Sequence, residues 1–222
     1  MNRLGDQPGR GSREFYFLAD ALALDFLNTT AIPGGDPVEQ IPDGESLLGW
    51  LVVSRLIEVS VAEDIREMAL PAELDAIAVQ ARSLRSWFTQ FVRRHSGCSL
   101  RPELLPELSP LNKVLERDNS FSIVVSRQDH HASGDAEAWD VAFQRQVCRH
   151  WREPGSLLLP LAQAMAELVC TADFLRIRQC EAPECSLFFL DTSRAGARRW
   201  CSMAVCGNRA KQAAHRDRIA QG

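Results

Sequence analysis

Four of the seven cysteines form two equally spaced pairs. Four residues separate Cys180 from Cys185 and Cys201 from Cys206, and fifteen residues lie between the pairs. Paired cysteines at this spacing are typical of zinc sites, in which four thiolates surround the ion at about 2.3 Å. The spacing therefore predicts one zinc ion bound by these four cysteines.

Disulfide bonds are the alternative interpretation of the same cysteines. We favour zinc because no secretory signal is recognisable and a chain of 222 residues can bury a core that needs no cross-links. Four thiolates fill a tetrahedral site and leave no position for a catalytic water, so the ion is predicted to be structural. The chain also has no phosphate loop, dinucleotide-binding glycine pattern, nucleophile elbow or zinc-protease helix, and we expect no enzyme.

The segments around the cysteines must aim the thiolates at one point. An apolar run at residues 187–190, turn residues at 191–196 and a return at 198–200 predict a β-hairpin that connects the two pairs. Ser202 is the predicted N-cap of a helix that carries Cys206 in its opening turns and continues into a basic stretch. Gly207 lies in that helix, where it costs roughly 1 kcal/mol relative to alanine, so we expect a close backbone approach there.

The C-terminal part is basic although the whole chain is acidic. Residues 176–222 hold nine basic and four acidic residues, a charge of +5, and because the chain totals −4 the remainder carries −9. This asymmetry is expected when one end of a protein meets a polyanion. The residues predicted to contact nucleic acid are Arg194, Arg198 and Arg199 in the hairpin and Asn208, Arg209 and Lys211 in the helix, followed by His215, Arg216 and Arg218. An alternative role for Asn208 and Arg209 is to support the metal site beside a ligand cysteine.

The preceding residues predict a mainly helical domain. Apolar periodicity predicts helices over residues 18–29, after an N-cap at Asp43, over residues 74–92 and over residues 156–176. Ser60 and Glu63 predict a capping box. A short strand is predicted at residues 15–17, and apolar or alternating runs predict paired strands at residues 121–126 and from Trp139 to Phe143.

Two polar residues interrupt the apolar pattern of the first predicted helix. Asp25 and Asn28 must be exposed or hydrogen bonded if they lie among apolar neighbours. One interpretation is structural, with Asp25 capping the chain or pairing with an arginine. The other is that Asp25, Asn28 and Thr29 line a ligand pocket.

Together these elements predict an α+β protein with three parts. Residues 1–14 form a disordered lead, residues 15–176 a mainly helical domain with a small β-hairpin, and residues 177–222 a treble-clef-like zinc finger with four cysteine ligands. The last predicted helix enters Cys180 almost without a linker, so we expect the finger to be docked on the helical domain. No apolar run reaches the roughly 20 residues of a membrane span, and we expect a cytoplasmic protein.

The stretch from Cys180 to Arg209, with its FFLDTSR and RRWCSMAVCGNRAK runs, resembles the CGNR zinc finger family. The family is named for the tetrad that stands here at residues 206–209. The LALDFLNT run at residues 22–29 is similar to the ABATE domain that precedes this finger in the family. The resemblance covers nearly the whole chain and implies a bacterial, stress-related transcription regulator.

Residue chemistry and resemblance lead to two functional hypotheses. The first is a DNA-binding transcription regulator whose helical domain senses a small-molecule effector or forms a homodimer. The second is a zinc-stabilised module that binds protein or RNA without sequence-specific DNA binding.

Overall fold

The computed structural model describes residues 15–31, 37–126 and 143–220. The described helices are α1 (Leu22–Leu27), α2 (Gly44–Val53), α3 (Val59–Met68), α4 (Pro71–His95), α5 (Ser109–Leu115), α6 (Leu158–Thr171) and α7 (Asn208–Ala220). The described strands are β1 (Phe121–Ser126), β2 (Phe143–Cys148), β3 (Ile177–Gln179) and β4 (Phe188–Leu190), and they form two antiparallel pairs, β1 with β2 and β3 with β4. The predicted disordered lead lies outside these residues. None of the helices described is both long and apolar enough to cross a membrane.

Helix α4 organises the core of the helical domain. It begins at Pro71, where the missing N–H of proline costs nothing, and the Glu73 carboxylate accepts the Leu70 N–H at 2.8 Å. Its buried face contacts α1, α2, α5 and α6. The chain reverses just after the helix at Gly97, whose φ of +76° suits glycine. The predicted long amphipathic helix is therefore confirmed.

The N-terminal segment differs from its prediction. No strand forms at residues 15–17, and α1 begins at Leu22 rather than at residue 18. The cause is Asp25, whose Oδ1 accepts the N–H groups of Leu18 and Ala19, both at 2.9 Å. Asp20 then turns the chain with a φ of +56°. A carboxylate in the helix thus holds the preceding segment in an irregular path.

Other boundaries also needed correction. The capping box at Ser60 and Glu63 is wrong, because α3 begins at Val59 with Glu58 as its N-cap. The last helix of the domain is shorter than predicted, since 3-10 turns at Pro154–Leu157 and Phe174–Arg176 flank α6. The second strand of the hairpin is Phe143–Cys148, and residues 139–142 lie outside the described ranges.

The finger and the helical domain share one continuous core. Phe188 and Phe189 of β4 are buried in the same apolar cluster as Leu24 and Leu27 of α1. A backbone hydrogen bond also joins the two parts, because the Leu190 N–H of β4 donates to the Ala19 carbonyl at 2.8 Å. The predicted docking of the finger is confirmed.

Candidate metal centre and its basic surface

The four predicted ligand cysteines lie together and are buried. Their sulfur atoms are within 4.8 Å of one another, and all four cysteines are unpaired by disulfides. The Sγ of Cys201 lies 3.7 Å from that of Cys185 and 3.6 Å from that of Cys206. Four thiolates at 2.3 Å from one tetrahedral ion would be about 3.8 Å apart. The cluster therefore fits one zinc ion, as the spacing predicted.

A hairpin aims the first pair, but it is not the hairpin that was predicted. Strand β4 pairs with β3, which precedes Cys180, rather than with residues 198–200, which form no strand. The reversal closes with the Cys180 N–H donating to the Leu187 carbonyl at 2.8 Å and the Cys185 N–H to Ala182 at 3.0 Å. Two strands thus clamp the turn that presents both sulfurs. The prediction of a hairpin that connects the two cysteine pairs is therefore wrong, because β4 forms its strand hydrogen bonds with β3.

The second pair is presented by the start of a helix. The Ser202 hydroxyl accepts the Val205 N–H at 3.4 Å, which confirms the predicted N-cap. The first turn, Met203–Gly207, is a π turn in which the Gly207 N–H reaches the Ser202 carbonyl at 3.0 Å. A Cβ on Gly207 would lie 2.7 Å from the Met203 sulfur. The predicted close approach is therefore made by Met203. A pair on a hairpin and a pair at a helix start form the treble-clef-like arrangement.

The sulfur cluster requires a cation for its charge. Hydrogen bonds from Cys185 and Cys201 lower the pKa of the Cys180 thiol to about 2. In contrast, the hydrogen bonds that Cys201 makes to Cys180 and Cys185 raise the pKa of the Cys201 thiol. Burial raises the pKa of Cys206 to about 12. Buried thiolates this close repel one another, so all four ionise together only around a metal.

A buried carboxylate fixes the loop between the two pairs. Asp191 is fully buried and accepts from the Ser193 hydroxyl at 2.5 Å, the Ser193 N–H at 3.0 Å and the Arg198 N–H at 2.9 Å. Burial alone would raise the pKa of Asp191, but these hydrogen bonds outweigh it and lower the pKa below its usual value. Asp191 therefore remains ionised and closes the predicted turn, whose Gly196 has a φ of +61°.

Arg198 was predicted as a phosphate contact, and its placement argues for a positioning role. Its guanidinium donates to the carbonyls of Trp200, Cys201 and Leu18 at 3.0, 2.6 and 2.8 Å, and it pairs with Asp20. It also lies over the Phe189 ring, 4.3 Å from the centroid. One side chain thus ties the second metal loop to the N-terminal segment. The sequence held no signal for this contact, since Leu18 and Asp20 lie about 180 residues away along the chain.

The other predicted basic residues of the loop are at the surface. Arg194 and Arg199 are both exposed. Arg199 pairs with Glu181 at 2.5 Å and lies 4.9 Å from the Trp200 ring centroid. Exposed pairs of this kind are weak, so the Arg199 guanidinium can exchange its partner.

Helix α7 extends from the metal centre and presents polar residues. Asn208, Arg209 and Lys211 are exposed, as are His215 and Arg216. The Asn208 amide donates to the Ala204 carbonyl at 3.2 Å, within the turn that carries Cys206. This bond supports the second interpretation of Asn208, in which it stabilises the metal loop.

Asp25 and Asn28, two of the three residues of the predicted ligand pocket, are buried and hydrogen bonded within the protein. Asn28 is 4% exposed, and its amide donates to the Phe188 carbonyl at 2.8 Å and accepts the Phe188 N–H at 3.0 Å. Asp25 is 5% exposed, and burial, as the largest effect, raises its pKa to about 7. These contacts support the structural interpretation. A ligand role for the two residues remains a prediction.

Comparisons with known families cover both parts of the chain. Residues 176–219 match the CGNR zinc finger family. Residues 20–172 match ABATE, a family described as "Putative stress-induced transcription regulator". A search of curated proteins finds no match.

Proposed function

Since the chain belongs to the ABATE family and carries a CGNR zinc finger, we propose that it is a DNA-binding transcription regulator in which α7 contacts the nucleic acid. The helical domain acts as its sensing or dimerising unit. One observation carries this proposal: α7 packs mainly on the turn Met203–Gly207, and its Asn208, Arg209, Lys211, His215 and Arg216 are exposed. Exposed basic side chains along one helix are the electrostatic footprint expected of a surface that binds nucleic acid.

The dimensions of α7 suit duplex DNA. Thirteen residues give a length of about 20 Å, and the major groove, about 12 Å wide, admits an α-helix. Asn208, Lys211 and His215 recur at helical spacing and lie along one side. Asparagine and arginine pair with adenine and guanine edges, while lysine suits phosphates. The first turns of α7 are therefore the part that we assign to base contacts.

The metal centre gives α7 its direction. A zinc ion supplies a fixed crosslink between four thiolates and contributes to folding, because a site of this kind does not exist in the unfolded chain. Cys206 lies two residues before α7, and Ser202 caps the turn that carries it. Arg199 on the neighbouring loop is exposed beside this helix start and adds a phosphate contact.

Binding to DNA selected from a random pool tests the proposal. We expect the zinc-loaded chain to select a sequence, a chelator to abolish binding, and the affinity to fall linearly with salt on a log–log plot. The double variant Arg209→Ala with Lys211→Ala should reduce that salt slope by about one, for the lost phosphate contact of Lys211, and should relax the selected sequence at the base that Arg209 contacts. The matched control is Arg93→Ala with Arg94→Ala, which removes the same charge from the exposed end of α4 and should leave the slope unchanged.

Two results would overturn the assignment. An unchanged slope in the α7 variant would exclude α7 as the contact, and a slope that falls in Arg199→Ala but not in the α7 variant would move the contact to the loop. Failure to select any DNA, with tight binding to RNA or to an acidic protein, would favour the interaction-module hypothesis instead.

A further inference from the structure

A cleft of about 570 Å³ lies between the N-terminal segment and the loop that carries Cys201. Phe17, Leu18 and Asp20 form one wall, and residues 197–204 form most of the other. Every residue that lines the cleft belongs to the described ranges. Pockets for small molecules usually occupy about 300 to 1,000 Å³ and often lie where two domains meet. The size and the place of the cleft therefore suit a small ligand.

The cleft is distinct from the space of the zinc ion and from the predicted ligand pocket. Of the four ligand cysteines, Cys201 alone lines the cleft, whereas the space of an ion bound by all four sulfurs would be lined by all of them. Cys201 is itself only 2% exposed, so the sulfur cluster lies behind the wall of the cleft. Neither Asp25, Asn28 nor Thr29 belongs to the lining. The cleft is therefore a separate candidate site.

Large apolar side chains in the cleft remain open to solvent. Phe17 is 37% exposed and Met203 is 50% exposed, and the half-buried Trp200 lines the cleft beside them. Apolar surface that leaves water when a ligand binds contributes favourably in proportion to its area. Aromatic rings also gain from offset or edge-to-face contacts with one another, and methionine sulfur gains from contact with a ring. These walls therefore favour a ligand with an aromatic body.

Arg199 gives the cleft a positive charge that the rest of its lining does not neutralise. The other two charged residues of the lining, Arg198 and Asp20, pair with each other. Arg199 pairs through Nε with Glu181, which lies outside the lining, and among the described residues its two terminal nitrogens have no hydrogen-bond acceptor. Its guanidinium lies 4.9 Å from the ring centroid of Trp200, beside the apolar wall. A guanidinium can hold a carboxylate through two parallel hydrogen bonds.

We propose that the cleft binds a small aromatic carboxylate, with its ring against the apolar wall and its carboxylate on the terminal nitrogens of Arg199. The Ser202 hydroxyl also lines the cleft and, among the described residues, donates to no acceptor, so it supplies a further donor. A cationic ring would be repelled by Arg199, and a neutral ring would make no charge-assisted hydrogen bond with it. The charge of Arg199 thus selects an anion as the occupant.

A ligand in this cleft would contact both parts of the protein. It would touch the N-terminal segment and the turn Met203–Gly207, from which α7 continues. A ligand shifts such an arrangement only by as much as its affinity differs between two states. The role of the cleft as an effector site rests on the proposed function, whereas ligand binding itself does not. The test therefore uses the chain without DNA.

A ¹H–¹⁵N NMR titration of the zinc-loaded full chain tests the proposal with three probes: 3-phenylpropanoate, its neutral amide 3-phenylpropanamide, and acetate. The carboxylate with the ring should bind at least about tenfold more tightly than the amide, because hydrogen bonds between charged groups are the stronger ones. Acetate has no ring and should not reach saturation at concentrations that saturate 3-phenylpropanoate. The amide signals of Phe17, Ser202 and Met203 should shift, since these residues line the cleft.

A pair of exposed arginines makes the result specific. Arg199→Ala should weaken 3-phenylpropanoate by at least about tenfold and change the affinity for the amide by less than about threefold. The matched control Arg194→Ala removes an exposed arginine of the same loop that does not line the cleft, and it should change either affinity by less than about threefold. Absence of saturable shifts at the cleft, equal affinities for acid and amide, or equal weakening by the two variants would each overturn the proposal.

Discussion

Replacing Asn28 by alanine tests whether the helical domain holds the finger in place. The Asn28 amide makes both hydrogen bonds of a strand residue to Phe188, and all of these groups are buried. Without the amide, one N–H and one carbonyl of β4 lose their partners, at about 1 to 3 kcal/mol for each group. Since water can enter part of the space, we expect a total loss of about 2 to 4 kcal/mol in the free energy of unfolding.

The consequence should extend to the metal centre. Phe188 lies three residues after Cys185, so loosening of β4 should accelerate zinc release to a chromophoric chelator. For a chain of this size the loss corresponds to a decrease of roughly 4 to 16 °C in Tm. Denaturant unfolding of the zinc-loaded protein measures the first effect and chelator kinetics the second.

Asn112→Ala is the matched control, because this asparagine is exposed in helix α5, outside the finger. It should cost at most about 0.5 kcal/mol. If Asn28→Ala were no more destabilising than this control, or if zinc release were unchanged, the idea that α1 supports the finger would be refuted.

Two further changes test the packing of α2 and the burial of Asp25. A Cβ on Gly44 would lie 2.4 Å from the Leu74 Cβ and 2.6 Å from its backbone carbon, so Gly44→Ala should destabilise by at least about 1 to 3 kcal/mol in denaturant unfolding. The control Gly49→Ala, in the same helix with nothing within 4 Å, should stabilise by about 0.5 to 1 kcal/mol, and a destabilising result there would contradict the argument. Burial raises the pKa of Asp25 from 3.8 to about 7, so the folded state binds the carboxyl proton more tightly than the unfolded state does. The stability that the bound proton contributes is complete below pH 3.8 and is lost as the pH rises through about 7. Between roughly pH 5 and 7, the free energy of unfolding of the wild type should therefore fall by about 1.4 kcal/mol per pH unit, whereas that of Asp25→Asn should not. Parallel curves of the two proteins in that window would exclude this linkage.

The metal ligands and the long helix were predictable because their signals are local. Paired cysteine spacing and the apolar period of α4 depend on residues a few positions apart, and both predictions were confirmed. The partner of β4 was not predictable in this way. Residues 177–179 and 198–200 are both short segments that can adopt an extended conformation, and only the packed finger selects the first.

Charged side chains were the least predictable part. Arg85 lies on α4, whose Arg93 and Arg94 are exposed, yet it is buried and donates to the Thr29 hydroxyl at 2.6 Å. Arg198 similarly turns inward to Leu18 and Asp20. Both have partners that are distant in sequence, so no periodicity can reveal them.

The bonds between Asn28 and Phe188 also limit how this protein can evolve. A recombination event that replaced the finger would need to preserve the asparagine in the first helix and an extended backbone opposite it. The same event would separate Arg198 from the carbonyl of Leu18. Exchange of either half alone would thus leave buried polar groups unmatched, so the two halves should be inherited together.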